Sequence, residues 1–119
     1  MANQMAITAI TSGAKRAPLV LRGDLISAVR QAFEWGYDAL EIHIIDARDF
    51  PLQMIKDALR QYGVRISAIV TGQIYTRRNR CITSPDAENR QAAMDEVRAY
   101  IDIAAALETT DGIVIGWVK

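Results

Sequence analysis

Gly36-Tyr37-Asp38-Ala39-Leu40-Glu41-Ile42-His43-Ile44-Ile45 is the stretch whose reading decides the fold. A glycine suited to ending a helix is followed by a short, almost wholly apolar run, and runs of that kind are strands that helices bury in parallel sheets. A carboxylate and the only histidine of the chain are set into it. Ionisable groups in such a strand are costly unless they line a cavity or find partners, so Glu41 and His43 need a physical reason to be there. Strand alternation puts Glu41, His43 and Ile45 on one face and Leu40, Ile42 and Ile44 on the other. The second set is unbroken hydrocarbon and is expected to meet helices.

Upstream of this run, Asp24 is a good N-cap for a helix over 24–35, with Leu25, Ala28, Val29, Ala32 and Phe33 on one face and Arg30, Gln31 and Glu34 opposite. Gly36 supplies the left-handed residue that stops it. Residues 6–11 read as a first strand and 12–23 as a loop holding Gly13, Pro18 and Gly23. Downstream, Asp49 is expected to cap a second helix with Pro51 in its first turn. Leu52, Ile55, Leu59 and Tyr62 recur there at helical spacing, and Gly63 ends the helix. Residues 64–71 form a third strand.

Residues 72–83 have no apolar period and carry Arg77, Arg78 and Arg80, so they read as a long loop, a place where function often sits. Ser84-Pro85-Asp86 opens the third and longest helix. Its buried line is expected to be Ala93, Val97, Ile101, Ala104 and Leu107. A fourth strand covers 112–118. About four strands thus alternate with three helices, and Trp35-Gly36 and Tyr62-Gly63 make a modest internal repeat. Alternation of this kind specifies an α/β fold of parallel βα repeats with right-handed crossovers. It leaves two architectures, an open doubly wound sheet and an arc of a (βα)8 barrel.

Composition narrows the function. In 119 residues there is one domain or part of one. The 14 basic and 14 acidic side chains cancel, so no global field draws the chain to nucleic acid or to an anionic membrane. Cys81 is alone, which excludes an intramolecular disulfide and fits a reducing, cytoplasmic setting. No apolar run approaches the roughly 20 residues of a membrane span, and the N-terminus has no signal-peptide pattern.

Several pieces together resemble the N-terminal half of the xylose isomerase-like TIM barrels, the sugar phosphate isomerase/epimerase family. Gly36-Tyr37-Asp38-Ala39-Leu40-Glu41 matches the glycine, strand and glutamate at the second strand of that family. Tyr62-Gly63-Val64-Arg65-Ile66-Ser67-Ala68 matches its third strand. Ser84-Pro85-Asp86, Arg90 and the run 101–107 resemble its third helix, which usually closes with Leu-Gly; Glu108 stands here in place of that glycine. The resemblance covers essentially the whole chain, 1–119, as a half-barrel, since a complete barrel takes about 250 residues. It implies an enzyme that abstracts a proton next to a carbonyl of a sugar or sugar phosphate. It also implies a divalent metal (Mn, Mg, Co or Zn) in a full-length relative, held mainly on later strands that this sequence does not contain.

In a parallel barrel the reacting groups sit at the C-terminal strand ends and in the loops after them. His43 is therefore expected to touch a sugar hydroxyl or phosphate, and Glu41 to brace a neighbouring polar group; both have a structural hydrogen-bonded pair as the plainer alternative. Arg90 is expected near the same end, reaching an anionic group or pairing with Glu41. Trp117 and Lys119 share a face of the fourth strand, where they offer a stacking platform and a phosphate contact. A metal needs three or four convergent ligands, and one histidine, one loop cysteine and scattered carboxylates show no such spacing. No complete catalytic set or metal site is therefore expected in this chain.

The functional readings are three. The first is a half of a sugar isomerase or epimerase, inactive alone. The second is a fragment of the related hydrolases resembling apurinic-site endonucleases; these use strand-end histidines in this half, and only His43 is present. The third is a non-catalytic half-barrel that self-associates into a homo-oligomer through exposed strand edges. The basic segment Tyr75-Thr76-Arg77-Arg78-Asn79-Arg80 invites a phosphate or nucleic-acid clamp, but in a neutral chain basic runs are usually solvated. Ser12-Gly13-Ala14-Lys15 lacks the second glycine and the ending of a phosphate loop.

Overall fold

In the computed structural model, which describes residues 3–11 and 20–116, the run from Ala39 forms the central strand of a five-stranded, all-parallel sheet. The strands are β1 (Ala6–Ile10), β2 (Leu21–Arg22), β3 (Ala39–His43), β4 (Arg65–Val70) and β5 (Gly112–Val114), in the spatial order β2-β1-β3-β4-β5. The helices are α1 (Leu25–Glu34), α2 (Leu52–Tyr62), α3 (Gly72–Arg78) and α4 (Ala87–Ala106), with a short 3-10 turn at Ala47–Asp49.

One core decides between the two architectures. Ile7 and Ala9 of β1, Leu40 and Ile42 of β3, and Ile66 and Ile69 of β4 are buried in a single cluster with Val29 of α1, Ile55 of α2 and Tyr100 of α4. The helices α1, α2 and α4 therefore lie on one face of the sheet. A doubly wound sheet carries helices on both faces, whereas a barrel carries them only outside. The fold is an arc of a TIM barrel, and its concave face bears Thr8, Glu41 and His43.

Helix ends follow from local chemistry. Asp24 caps α1, accepting hydrogen bonds from the N–H groups of Ile26 (3.2 Å) and Ser27 (2.9 Å). The helix closes with paired bonds from Gly36 N–H to Phe33 O and from Tyr37 N–H to Ala32 O, and Gly36 has φ 77°. The same pair of bonds closes α4, from Glu108 N–H to Ala105 O and from Thr109 N–H to Ala104 O. Glu108 thus occupies, at φ 52°, a left-handed position that favours glycine.

Four expectations are corrected. Residues 72–83 are not all loop: α3 occupies Gly72–Arg78 and ends at the left-handed Asn79. It is anchored by the burial of Ile74 and by ion pairs from Arg78, which are contacts distant in sequence. Within the loop expected over 12–23, Leu21–Arg22 pairs with Ala9 and Ile10 as a strand; residues 12–19 lie outside the described part. Asp49 does not cap the second helix. It belongs to the 3-10 turn, which Asp46 caps, and α2 starts behind Pro51 with no side-chain cap. In α4 the buried line runs through Tyr100, and Ile101 is 52% exposed. The spacing 93, 97, 100, 104, 107 tracks a 3.6-residue period, from which residue 101 falls to one side.

Candidate functional site on the concave face

The register of the parallel strands assembles the site. Thr8 pairs with Glu41 across β1 and β3, and Ile10 pairs with His43. Between β3 and β4 the register shifts after Leu40, so that Leu40 faces Ile66 while Glu41 faces Ala68 and His43 faces Val70. Ser67 is the extra residue of this bulge, and its hydroxyl donates to Leu40 O at 3.2 Å. Bulges of this kind re-aim side chains. Here the bulge sets small Ala68 beside Glu41.

The Thr8 hydroxyl donates to Glu41 Oε1 at 3.3 Å. His43 Nε2 lies 3.8 Å from the same oxygen, close enough for charge coupling and too far for a hydrogen bond. The His43 side chain is 15% exposed and that of Glu41 38%. Burial holds the His43 imidazole below its ordinary value, with the Glu41 carboxylate opposing that shift. Near neutral pH the ring is therefore uncharged, a state suited to exchanging hydrogen bonds with hydroxyl groups. Its Nδ1 is buried and has no partner among the described residues. Buried polar atoms left in that state are uncommon and mark a place that a ligand, a water or a small movement must satisfy.

The other expected site residues fall elsewhere. Arg90 is not brought to Glu41: its Nη1 donates to the carbonyl oxygens of Ser84 (2.6 Å) and Pro85 (2.9 Å), which holds the turn ahead of α4. Trp117 and Lys119 lie outside the described residues. Thr8 was not legible as a site residue, because nothing in a one-strand reading says which position of β1 will face Glu41.

The basic segment 75–80 is engaged in a network beyond the strand ends. Arg78 Nη2 contacts Glu96 Oε1 at 2.9 Å and Arg78 Nη1 contacts Asp46 Oδ2 at 2.7 Å. The second contact is close as charges but not aligned as a hydrogen bond. Arg80 Nε adds a contact to Glu96 at 3.4 Å, and Arg48 grips Asp46 through Nε and Nη2. The Arg48 hydrogen bonds, helped by the Arg78 charge and opposed by burial, hold the Asp46 carboxyl well below the usual carboxylate range. These ions tie the segment after β3 to α3 and α4, so Arg78 and Arg80 serve the fold.

A parallel α/β arc with helices outside and polar side chains on its concave face defines the barrel class. The sequence matches the family described as Xylose isomerase-like TIM barrel over residues 29–116, more than half of the chain, and the chain belongs to that family. No curated protein matches it. Among the described residues no three His, Cys, Asp or Glu converge as metal ligands, and Glu41 with His43 supplies two donors where a site needs three or four. The divalent ion of the resemblance does not fit these residues alone. No helix among the described residues is long and apolar enough to cross a membrane.

Proposed function

We propose that the concave face of this arc is the substrate side of a sugar or sugar phosphate isomerase/epimerase. In this reading Glu41 and His43 bind hydroxyl groups of an open-chain ketose rather than perform the whole reaction. The observation that supports it most is the Thr8–Glu41–His43 cluster, which joins β1 to the C-terminal half of the central strand β3 of a barrel-family arc, facing away from the helices. Glu41 accepts from a hydroxyl, and the neutral His43 ring donates to one oxygen or accepts from another. Thr8 holds the carboxylate in place through its hydroxyl.

Proton abstraction next to the carbonyl calls for a base and for stabilisation of the enediolate that results. A divalent ion supplies that stabilisation in the resembling enzymes, and on this reading its ligands come from the later strands of a closed barrel. The chain alone then binds without turning over. Calorimetry with D-xylulose 5-phosphate on the 119-residue chain tests both halves of the proposal. Saturable binding, weakened about tenfold by Glu41→Gln or His43→Ala, with no deuterium wash-in next to the carbonyl in D2O, is the expected result. Wash-in catalysed by this chain, or binding that neither substitution alters, would contradict it.

A further inference from the structure

Helices α2 and α4 both end near the start of β4, at the opposite end of the sheet from the Glu41–His43 pair. Arg65 there pairs with Ala39 at the beginning of β3, whereas His43 closes that strand. Between the two helices is an open cavity of about 510 Å³, within the roughly 300–1,000 Å³ of small-ligand sites. Lys56, Leu59 and Arg60 of α2 line it, with Val64 and Arg65 at the start of β4 and Glu108 just past α4. Its lining comes wholly from α2, α4 and the segments that follow them. The later strands of a closed barrel add beyond β5, on the far side of α4, so closure leaves this groove open.

The charges of the groove are not used up by one another. Lys56 and Arg60 are one turn apart on one face of α2. Arg60 has a structural reason for its place: it sits in the last turn, where a cation meets the negative end of the helix, and contacts Asp57 at 3.5 Å. The side chains of Lys56 and Arg65 have no partner among the described residues. Neither has that of Glu108, which carries two local penalties. Its backbone is left-handed at φ 52°, where glycine is favoured, and its charge stands at the negative end of α4. Residues that break local rules in this way concentrate at functional sites. Opposite charges therefore line one cavity without pairing across it. The cations offer only hydrogen-bond donors and the carboxylate only acceptors. A phosphate monoester suits the first set and sugar hydroxyls suit the second. Bare phosphate uses only the first and is repelled by Glu108.

We propose that this groove is a second binding site, for a phosphorylated sugar: Lys56, with Arg60 and Arg65, holds the phosphate, and Glu108 accepts hydrogen bonds from the hydroxyl groups. The site is separate from the concave face and independent of the chemistry assigned there. Amide correlation spectra of the full chain, titrated with sorbitol 6-phosphate and with AMP, test it; the first has no carbonyl to isomerise. At least one of the two is expected to shift the amides of residues 56–65 and 106–108 saturably at millimolar concentration. Lys56→Gln and Glu108→Gln each weaken that binding about tenfold, as the loss of one charge-assisted hydrogen bond does, and His43→Ala leaves it unchanged. Circular dichroism verifies that each variant keeps its helix content. Tighter binding of AMP assigns the site to nucleotides, with the base against Leu59; AMP no tighter than sorbitol 6-phosphate assigns it to free sugar phosphates. Inorganic phosphate bound as tightly as either, saturation that neither groove substitution alters, or no saturable shift in the groove would overturn the proposal.

Discussion

Tyr100 in the middle of α4 donates its hydroxyl to the main-chain carbonyl of Ile44, 56 residues earlier, at 3.1 Å, and also approaches Ile45 O at 3.2 Å. The side chain is fully buried, so one residue fills the space under the sheet and satisfies carbonyl groups where β3 runs out. Tyr100→Phe keeps the packing and strands those carbonyls. It is expected to cost about 1–2 kcal/mol in urea denaturation, with an unchanged slope.

Tyr100 also sets an alkaline limit. Burial, helped by the nearby Glu96 carboxylate, raises the phenol well above its ordinary value of about 10. A raised folded value means the stabilisation is complete below the unfolded value and is lost as pH climbs from there towards the folded one. Stability should therefore decline above about pH 10, and the decline should be reduced in Tyr100→Phe. Denaturation of the two proteins at stepped alkaline pH provides the check.

The Arg78 guanidinium is shared by Asp46 and Glu96, and all three side chains are largely buried at 15–18% exposure. Arg78→Met leaves two carboxylates without their common cation, and removing one partner of a buried ionic cluster costs roughly 3 kcal/mol. The expected signature is a lower urea midpoint together with faster amide exchange in α3, which this contact anchors. The acid side has the opposite sign to Tyr100. Because the folded Asp46 carboxyl is depressed, its contribution is present above the unfolded value and disappears as pH falls below about 4.

Glu108 offers a gain. Its left-handed backbone disfavours a residue with a Cβ by about 1–2 kcal/mol, and its charge sits at the negative end of α4. Glu108→Gly is expected to raise stability by about 1 kcal/mol, seen as a higher melting temperature with no change in the circular dichroism spectrum.

Much of this was legible in the chain itself, and for stated reasons. Gly36 and Gly63 marked two helix ends because a left-handed terminus favours glycine, and Glu108 was legible as a departure at the third. The alternation of β3 placed Glu41 and His43 on one face and Leu40, Ile42 and Ile44 on the other, as the burial of the latter three bears out. Contacts that only tertiary structure creates were not legible. A seven-residue helix opening on Gly72 has little local propensity and depends on Ile74 and Arg78 finding distant partners. The strand Leu21–Arg22 exists only because β1 offers it an edge. Thr8 joined the site through interstrand register, which one strand cannot announce about another.

The central claim is that His43 and Glu41 face a ligand, and the imidazole of His43 reports on it directly. As the only histidine, it gives an unambiguous nitrogen signal. Titration of the labelled chain with D-xylulose 5-phosphate at neutral pH should move its ring nitrogens saturably, from a start in the neutral form. Ring signals unmoved by the sugar phosphate at saturating concentration, or a ring already protonated at pH 7, would contradict the account.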